Sequence, residues 1–183
     1  MASETERRRL FFALWPDDAL RGTLYKETRR AVRASGGKPV AKTNFHITLA
    51  FLGQLDRAGA QTACAAGEAS RGELFDLVLD RFGFWPEAGV VWLGPAQVPE
   101  AGSRFAEELR RQLRARGIKV DVRPFAPHLT LARKVAKPGD FGTPHPLRWP
   151  VREFVLVHSV TAQRASEYHL LATWPLRAAA VEL

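Results

Sequence analysis

The chain has 183 residues, within the range of one domain, and with 46% hydrophobic residues, 11 Phe and 5 Trp it carries enough apolar side chain to bury a core, which excludes a disordered tail. No segment approaches the roughly 20 consecutive apolar residues that a membrane helix needs, and residues 1–9 lack the apolar run of a signal peptide, so the expectation is a cytoplasmic chain with no membrane partner. The net charge of +8, from 27 Lys and Arg against 19 Asp and Glu, favours polyanionic partners, although abundant Arg throughout accounts for part of the excess.

Residues 1–8 read as a flexible tail ahead of a single domain that extends to residue 183. Residues 9–14 are apolar and aromatic and predict a strand, ended by Trp15-Pro16-Asp17-Asp18, where Pro and acids suit a helix first turn. Leu20, Leu24, Thr28 and Ala31 then recur at helical spacing up to Ser35-Gly36-Gly37. A polar loop over 38–44 leads to a strand over 45–53, a small-residue helix over 56–70, and two strands, 74–80 and 89–94, around a turn near Pro86. The single cysteine, Cys64, sits in that small-residue helix and can form no intrachain disulfide. Over 103–116, Phe105, Leu109 and Leu113 lie four apart and Gly117 stands at the expected left-handed cap, which predicts a helix. A strand over 125–134, a Pro-rich loop over 137–150 and a closing strand pair, 153–160 and 168–174, complete the chain. Helices between some strands and strand pairs elsewhere predict an α+β fold with antiparallel or mixed sheets.

One pattern repeats. Asn44-Phe45-His46-Ile47-Thr48-Leu49-Ala50 returns 82 residues later as Ala126-Pro127-His128-Leu129-Thr130-Leu131-Ala132, which points to a duplicated half-domain with two lobes around a shared cleft. In a strand, His and Thr two apart share a face and the aliphatic residues take the other. Two copies brought together surround one cavity with two imidazoles and two hydroxyls. Hydrolysis of a phosphodiester needs a base for water, an acid for the departing oxygen and donors for the charged oxygens. Histidine serves either proton role near neutral pH, and Thr donates to a phosphate without repelling it. Arg133 adds a delocalised cation suited to phosphate. No paired Cys, acidic cluster or His-x-x-x-His adjoins either motif, so neither a metal nor another cofactor is expected. His145, His158 and His169 read as structural or solvated.

On these residues the chain resembles the two-histidine phosphoesterases, and within them the bacterial RNA 2′,3′-cyclic phosphodiesterases, first described as 2′-5′ RNA ligases. Besides the paired motifs, residues 9–14 look like that family's first strand and Val90-Val91-Trp92-Leu93-Gly94 like its mid-chain strand. Phe45 and Ile47 depart from it, standing where Leu is frequent, on the core side. The resemblance implies two pseudo-symmetric βα lobes around a central cleft, no cofactor, and opening of a terminal 2′,3′-cyclic phosphate on RNA to a 2′-phosphomonoester, in some members reversed as 2′-5′ ligation. It implies His46 as proton donor, His128 as proton acceptor, Thr48, Thr130 and Arg133 on the phosphate oxygens, and Phe11 as a stacking platform for a base, with Tyr168 and Trp174 as further platforms. The expected partner is an RNA 3′ end or nucleotide bearing the cyclic phosphate, met by a monomer. Another cyclic phosphate, a 2′-5′ linked oligonucleotide, or a non-catalytic RNA-end-binding module are the alternatives.

Overall fold

Alternation of apolar side chains across β1 (Arg8–Leu14) sets the plan of the molecule: Leu10, Phe12 and Leu14 enter the main core, while Phe11 and Ala13 face the other way into a smaller cluster with Val155 and Val157. The fold is described from a computed structural model covering residues 7–137, 139–161 and 166–178; residues 1–6, most of the expected tail, lie outside the described residues, while Arg8 already belongs to β1. The Asp17 carboxylate accepts the Leu20 N–H at 2.7 Å and so caps α1 (Asp18–Ser35), which ends on Gly36 at φ 60°. A two-residue strand, β2 (Lys38–Pro39), and a 3₁₀ turn at Lys42–Asn44 precede β3 (Ile47–Leu55). Asp56 caps α2 (Arg57–Ala69) through the Gly59 N–H at 2.8 Å. Then follow β4 (Phe75–Leu79), β5 (Arg81–Trp85), β6 (Val90–Gly94), α3 (Glu100–Ala115), β7 (Leu129–Arg133), β8 (Leu147–Val151), β9 (Glu153–Thr161) and β10 (Ser166–Pro175).

The main sheet runs β10-β9-β1-β3-β7-β6-β5, with β2 also on β7, and each of these pairings is antiparallel. The order β1–α1–β3 recurs as β6–α3–β7, and β3 and β7 lie side by side with Ile47 opposite Leu129, each the residue after its motif histidine. The fold is therefore α+β, built from two related βα halves that meet at the motif strands. Each long helix reaches across that seam: α1 packs on β6 and β7, α3 on β3. Leu24 of α1 and Phe105, Leu109 and Leu113 of α3 join Ile47, Leu49, Leu129 and Leu131 in one core. No described helix is long and apolar enough to cross a membrane.

Several expected elements differ. Residues 74–80 do not pair with 89–94: β4 pairs with β8 in a separate two-stranded sheet, and β5, which Phe82, Gly83 and Phe84 disguise as turn sequence, forms the hairpin with β6. The Pro-rich segment 137–150 ends as strand β8, where Pro150 lies opposite Asp76 in a ladder that has only one partner strand. Helix α3 begins at Glu100, three residues before the apolar spacing shows, because Pro99 sets its N-terminus. Both motif histidines sit one residue ahead of their strands instead of within them.

Candidate active site

The register that puts Ile47 opposite Leu129, continued one residue each way, sets His46 opposite Thr130 and Thr48 opposite His128. Cross-strand partners in an antiparallel pair share a face, so all four side chains project to one side while Ile47 and Leu129 are fully buried on the other. The two histidines are diagonal neighbours, about 7–8 Å apart at the backbone by ordinary sheet geometry, and close enough for the charge of His128 to act on His46. The two motifs are thus brought together as the duplication predicts.

Each ring is held in the same way. His46 Nδ1 is 2.7 Å from the Asn44 carbonyl oxygen and His128 Nδ1 is 2.8 Å from the Ala126 carbonyl oxygen. A carbonyl only accepts, so Nδ1 carries the proton and donates, and Nε2 is the nitrogen left for chemistry in both residues. A neutral ring then offers an acceptor at Nε2, a charged ring a donor. The Asn44 side chain donates to the Ser166 carbonyl at 2.7 Å and ties this loop to β10. Burial lowers the His46 pKa to about 4, opposed by the Asn44 hydrogen bond and reinforced by the positive charges of Arg133, His128 and Arg21. His128 is lowered as well, first by burial and then by Arg133, against the Ala126 bond. Both shifts favour the neutral imidazole at pH 7.

Strict alternation would turn Arg133 to the core side with Leu129 and Leu131. A bulge prevents this: Trp92 pairs with Thr130 but Val91 with Ala132, so Leu131 is the extra residue. Leu131 and Ala132 are consecutively buried, and Arg133 emerges exposed, close enough to both histidines to act on their charge. The same irregularity occurs in β3, where Ala13 pairs with Thr48 and Phe12 with Ala50, so that Leu49 and Ala50 are buried and Phe51 emerges, 58% exposed. Phe51 is therefore the counterpart of Arg133.

Aromatic rings wall each histidine. Around His46 stand Phe11 at 4.9 Å, Trp15 stacked at 5.8 Å and Tyr168 edge-on at 5.3 Å between centroids. His128 meets the Trp85 ring at 4.5 Å, and Trp85 rests on Trp92 at 5.4 Å. Phe11 faces the cleft side, as strand parity predicts, but it is only 3% exposed and is covered by His46, Phe51 and Tyr168. With no free face it cannot serve as a stacking platform for a base; it braces His46. Trp174 is partly buried at the edge of the core, packed on Phe12 and Phe154 and over Gly67, where its ring lies 2.8 Å from the position of an added Cβ. Tyr168 stays beside His46. His145 is exposed in the loop before β8, and His158 and His169 face each other at 6.3 Å across β9 and β10, away from the motif strands.

Sequence reasoning misses Trp15, Trp85 and two buried arginines. Arg21 of α1 donates to the Pro16 carbonyl at 2.7 Å and the Thr43 carbonyl at 2.9 Å and lies 5.2 Å from the Trp15 ring, which pins the turn and loop that flank His46. Arg110 of α3 donates to the Arg123 carbonyl at 2.7 Å and reaches the carbonyl of the bulged Leu49 at 3.5 Å. A signal for both exists in the sequence: each occupies an apolar stripe, Arg21 with Leu24, Thr28 and Ala31, Arg110 with Ala106 and Leu113, where a charge is out of place unless paired. A pocket of about 600 Å³ opens beside His128 and Thr48, bordered by Phe51, Trp85, Glu87 and Arg123. No three described His, Cys, Asp or Glu side chains converge as a metal-ligand set.

Duplicated His-x-Thr motifs facing one another across a strand pair define a two-histidine phosphoesterase site. A profile of the 2′-5′ RNA ligase superfamily matches residues 16–162. The RNA 2′,3′-cyclic phosphodiesterase of Escherichia coli is 33% identical over 174 residues, 94% of this chain and 98% of that protein, and its counterpart from Thermus thermophilus is 32% identical over 92% and 90%. The crystal structure of E. coli LigT complexed with 3′-AMP superposes with a TM-score of 0.85 at 34% identity, covering 93% of this chain and 99% of that one. The chain belongs to the 2′-5′ RNA ligase superfamily.

Proposed function

We propose that the protein hydrolyses the 2′,3′-cyclic phosphodiester at an RNA 3′ end to a 2′-phosphomonoester, without a metal, and that the observation carrying this is the pair of motif histidines set diagonally across one strand pair, each with Nδ1 tied to backbone. The names and coverage of the relatives, and the binding of 3′-AMP by one of them, support the substrate class. Water enters opposite the 3′ oxygen. His128 Nε2 takes its proton as the new O–P bond forms, the P–O3′ bond breaks, and His46 Nε2 delivers a proton to the departing 3′ oxygen. The Thr48 and Thr130 hydroxyls and the Arg133 guanidinium donate to the non-bridging oxygens, whose charge grows in the transition state.

His46 must hold a proton before it can give one, and burial favours its neutral form. The substrate supplies the correction. An anionic phosphate between the rings favours their charged forms and opposes the desolvation that lowered them. With an RNA 5′-hydroxyl in the place of water, the same two proton transfers form the O5′–P bond, break the P–O3′ bond and leave a 2′-5′ phosphodiester beside a free 3′-hydroxyl, which is the 2′-5′ ligation chemistry.

The reading is tested with a short RNA carrying a 2′,3′-cyclic phosphate, incubated with EDTA. The expected product is a 2′-phosphate, with ring opening read by phosphatase sensitivity and the position of the phosphate by comparison with authentic 2′- and 3′-phosphate standards in ³¹P NMR. An uncleaved ring, a 3′-phosphate product, or turnover abolished by EDTA would overturn it.

A further inference from the structure

We infer that Trp15 is a positioning residue for the acid of the reaction: its indole lies face to face with the His46 ring and stabilises the imidazolium that gives its proton to the departing 3′ oxygen. The inference rests on the proposed function and deepens it. Two matching motifs cannot by themselves divide the acid and base roles, so a residue outside them must. Among the described residues only His46 of the motif pair has an aromatic ring stacked on it. Trp15 lies 5.8 Å away between centroids with 18° between the planes, while Trp85 meets His128 at 76°. A stacked indole turns the negative face of its π system to the ring beside it, and within about 6 Å that attraction favours a cation over a neutral ring.

The surroundings of His46 show why such help is needed. The charged groups that act on it are Arg133 of β7, His128 just ahead of that strand and Arg21 of α1; all are positive and all oppose its protonation. From β10 comes the Tyr168 ring, edge-on at 5.3 Å, and from β1 the Phe11 ring, tilted at 4.9 Å. No carboxylate stands among the groups that shift it, so the Asn44 carbonyl at Nδ1 and the aromatic faces are what favour the charged ring. Trp15 is also held in place for this. Arg21 donates to the carbonyl of Pro16, the next residue, at 2.7 Å and to that of Thr43, in the turn before His46, at 2.9 Å, and its guanidinium lies 5.2 Å from the indole. One side chain thus ties together the two segments that carry the stacked rings. On its other contacts Trp15 meets Tyr168 edge-on at 6.3 Å and packs on the cluster of Phe11, Ala13, Val155 and Val157.

The test compares a cyclic phosphate that has the ordinary 3′ oxygen with one that has sulfur there, which departs without a proton. In Trp15→Leu, which keeps an apolar side chain but no π face, kcat/KM on the oxygen substrate is expected to fall about two- to tenfold at pH 7, and on the sulfur substrate to stay within about 1.5-fold of wild type. The deficit on oxygen shrinks as the pH is lowered, because protons then fill His46 without the indole. Trp15→Phe, with a smaller π face, loses less. Thermal melts confirm that each variant folds, and where Leu disrupts the turn, Phe against wild type carries the same comparison. Equal losses on both substrates, an unchanged rate on oxygen, or a deficit that does not vary with pH would overturn the inference, while sulfur rescue of His46→Ala would still leave the acid role in place. No turnover of either substrate by the wild-type protein would overturn the functional reading and this inference with it.

Discussion

His46 concentrates the physical tension of the site in one side chain. Its pKa is pulled from an ordinary 6.5 to about 4 because the charged ring would lose its hydration among Phe11, Trp15 and Tyr168. In the unfolded chain it titrates near 6.5, so between pH 4 and 6.5 the unfolded state binds more protons and stability falls as the pH falls. Moving from pH 7 to pH 5 should cost about 2 kcal/mol through this residue alone. Urea denaturation at the two pH values measures it, and His46→Gln should shrink the difference, leaving the part that His128, also lowered by burial, contributes. A wild-type protein equally stable at both would contradict the burial account. The acid and base roles separate by leaving group. Sulfur in place of the bridging 3′ oxygen departs without a proton, so a 3′-thio cyclic phosphate should restore turnover to His46→Ala but not to His128→Ala. The opposite pattern would exchange the roles.

At the scale of elements, period-two alternation makes the His-x-Thr faces legible in the sequence, and it also puts Phe11 on the cleft side. It fails at the next step in each strand. The bulges at Leu49 and Leu131 shift the parity of everything after them, and no Gly or Pro announces them, so the orientations of Phe51 and Arg133 follow only from the strand register. Phe11 shows a second limit: parity says which way a ring points and nothing about what covers it. The β5–β6 hairpin escapes sequence reading because Gly83 breaks its aromatic pattern, and the structure explains that glycine. An added Cβ would stand 2.0 Å from the Trp92 ring, which lies over it and supports Trp85. Gly83→Ala must displace the indole, so it should destabilise the protein by about 1–3 kcal/mol and lower kcat/KM by loosening the wall of His128. A thermal melt and initial rates check both effects. An unchanged melting temperature would show that the hairpin is softer than this packing implies.

Over the whole molecule, function follows from putting two copies of one unit face to face and then letting them differ. The duplication is visible as a seven-residue echo, and the fold class, the halves and their shared catalytic strands follow from it. Less visible are the helices that cross the seam, α1 packing under the second half and α3 under the first, and the buried arginines they carry: Arg21 pins the loop before His46, and Arg110 pins the loop before His128 and reaches the Leu49 carbonyl of the other half. Such long-range ties leave only an arginine in an apolar stripe as their trace. The halves share their core, and the histidines they contribute act on one phosphate as a unit, so their losses should not add. The direct measurement is kcat/KM for hydrolysis of a cyclic-phosphate-ended RNA by the wild-type protein, His46→Ala, His128→Ala and the double variant, at matched folded concentration. Each single variant should lose about 10²- to 10⁴-fold, and the double should lose no more than about tenfold beyond the worse single. A single variant that keeps more than about a tenth of the wild-type rate would contradict a two-histidine site.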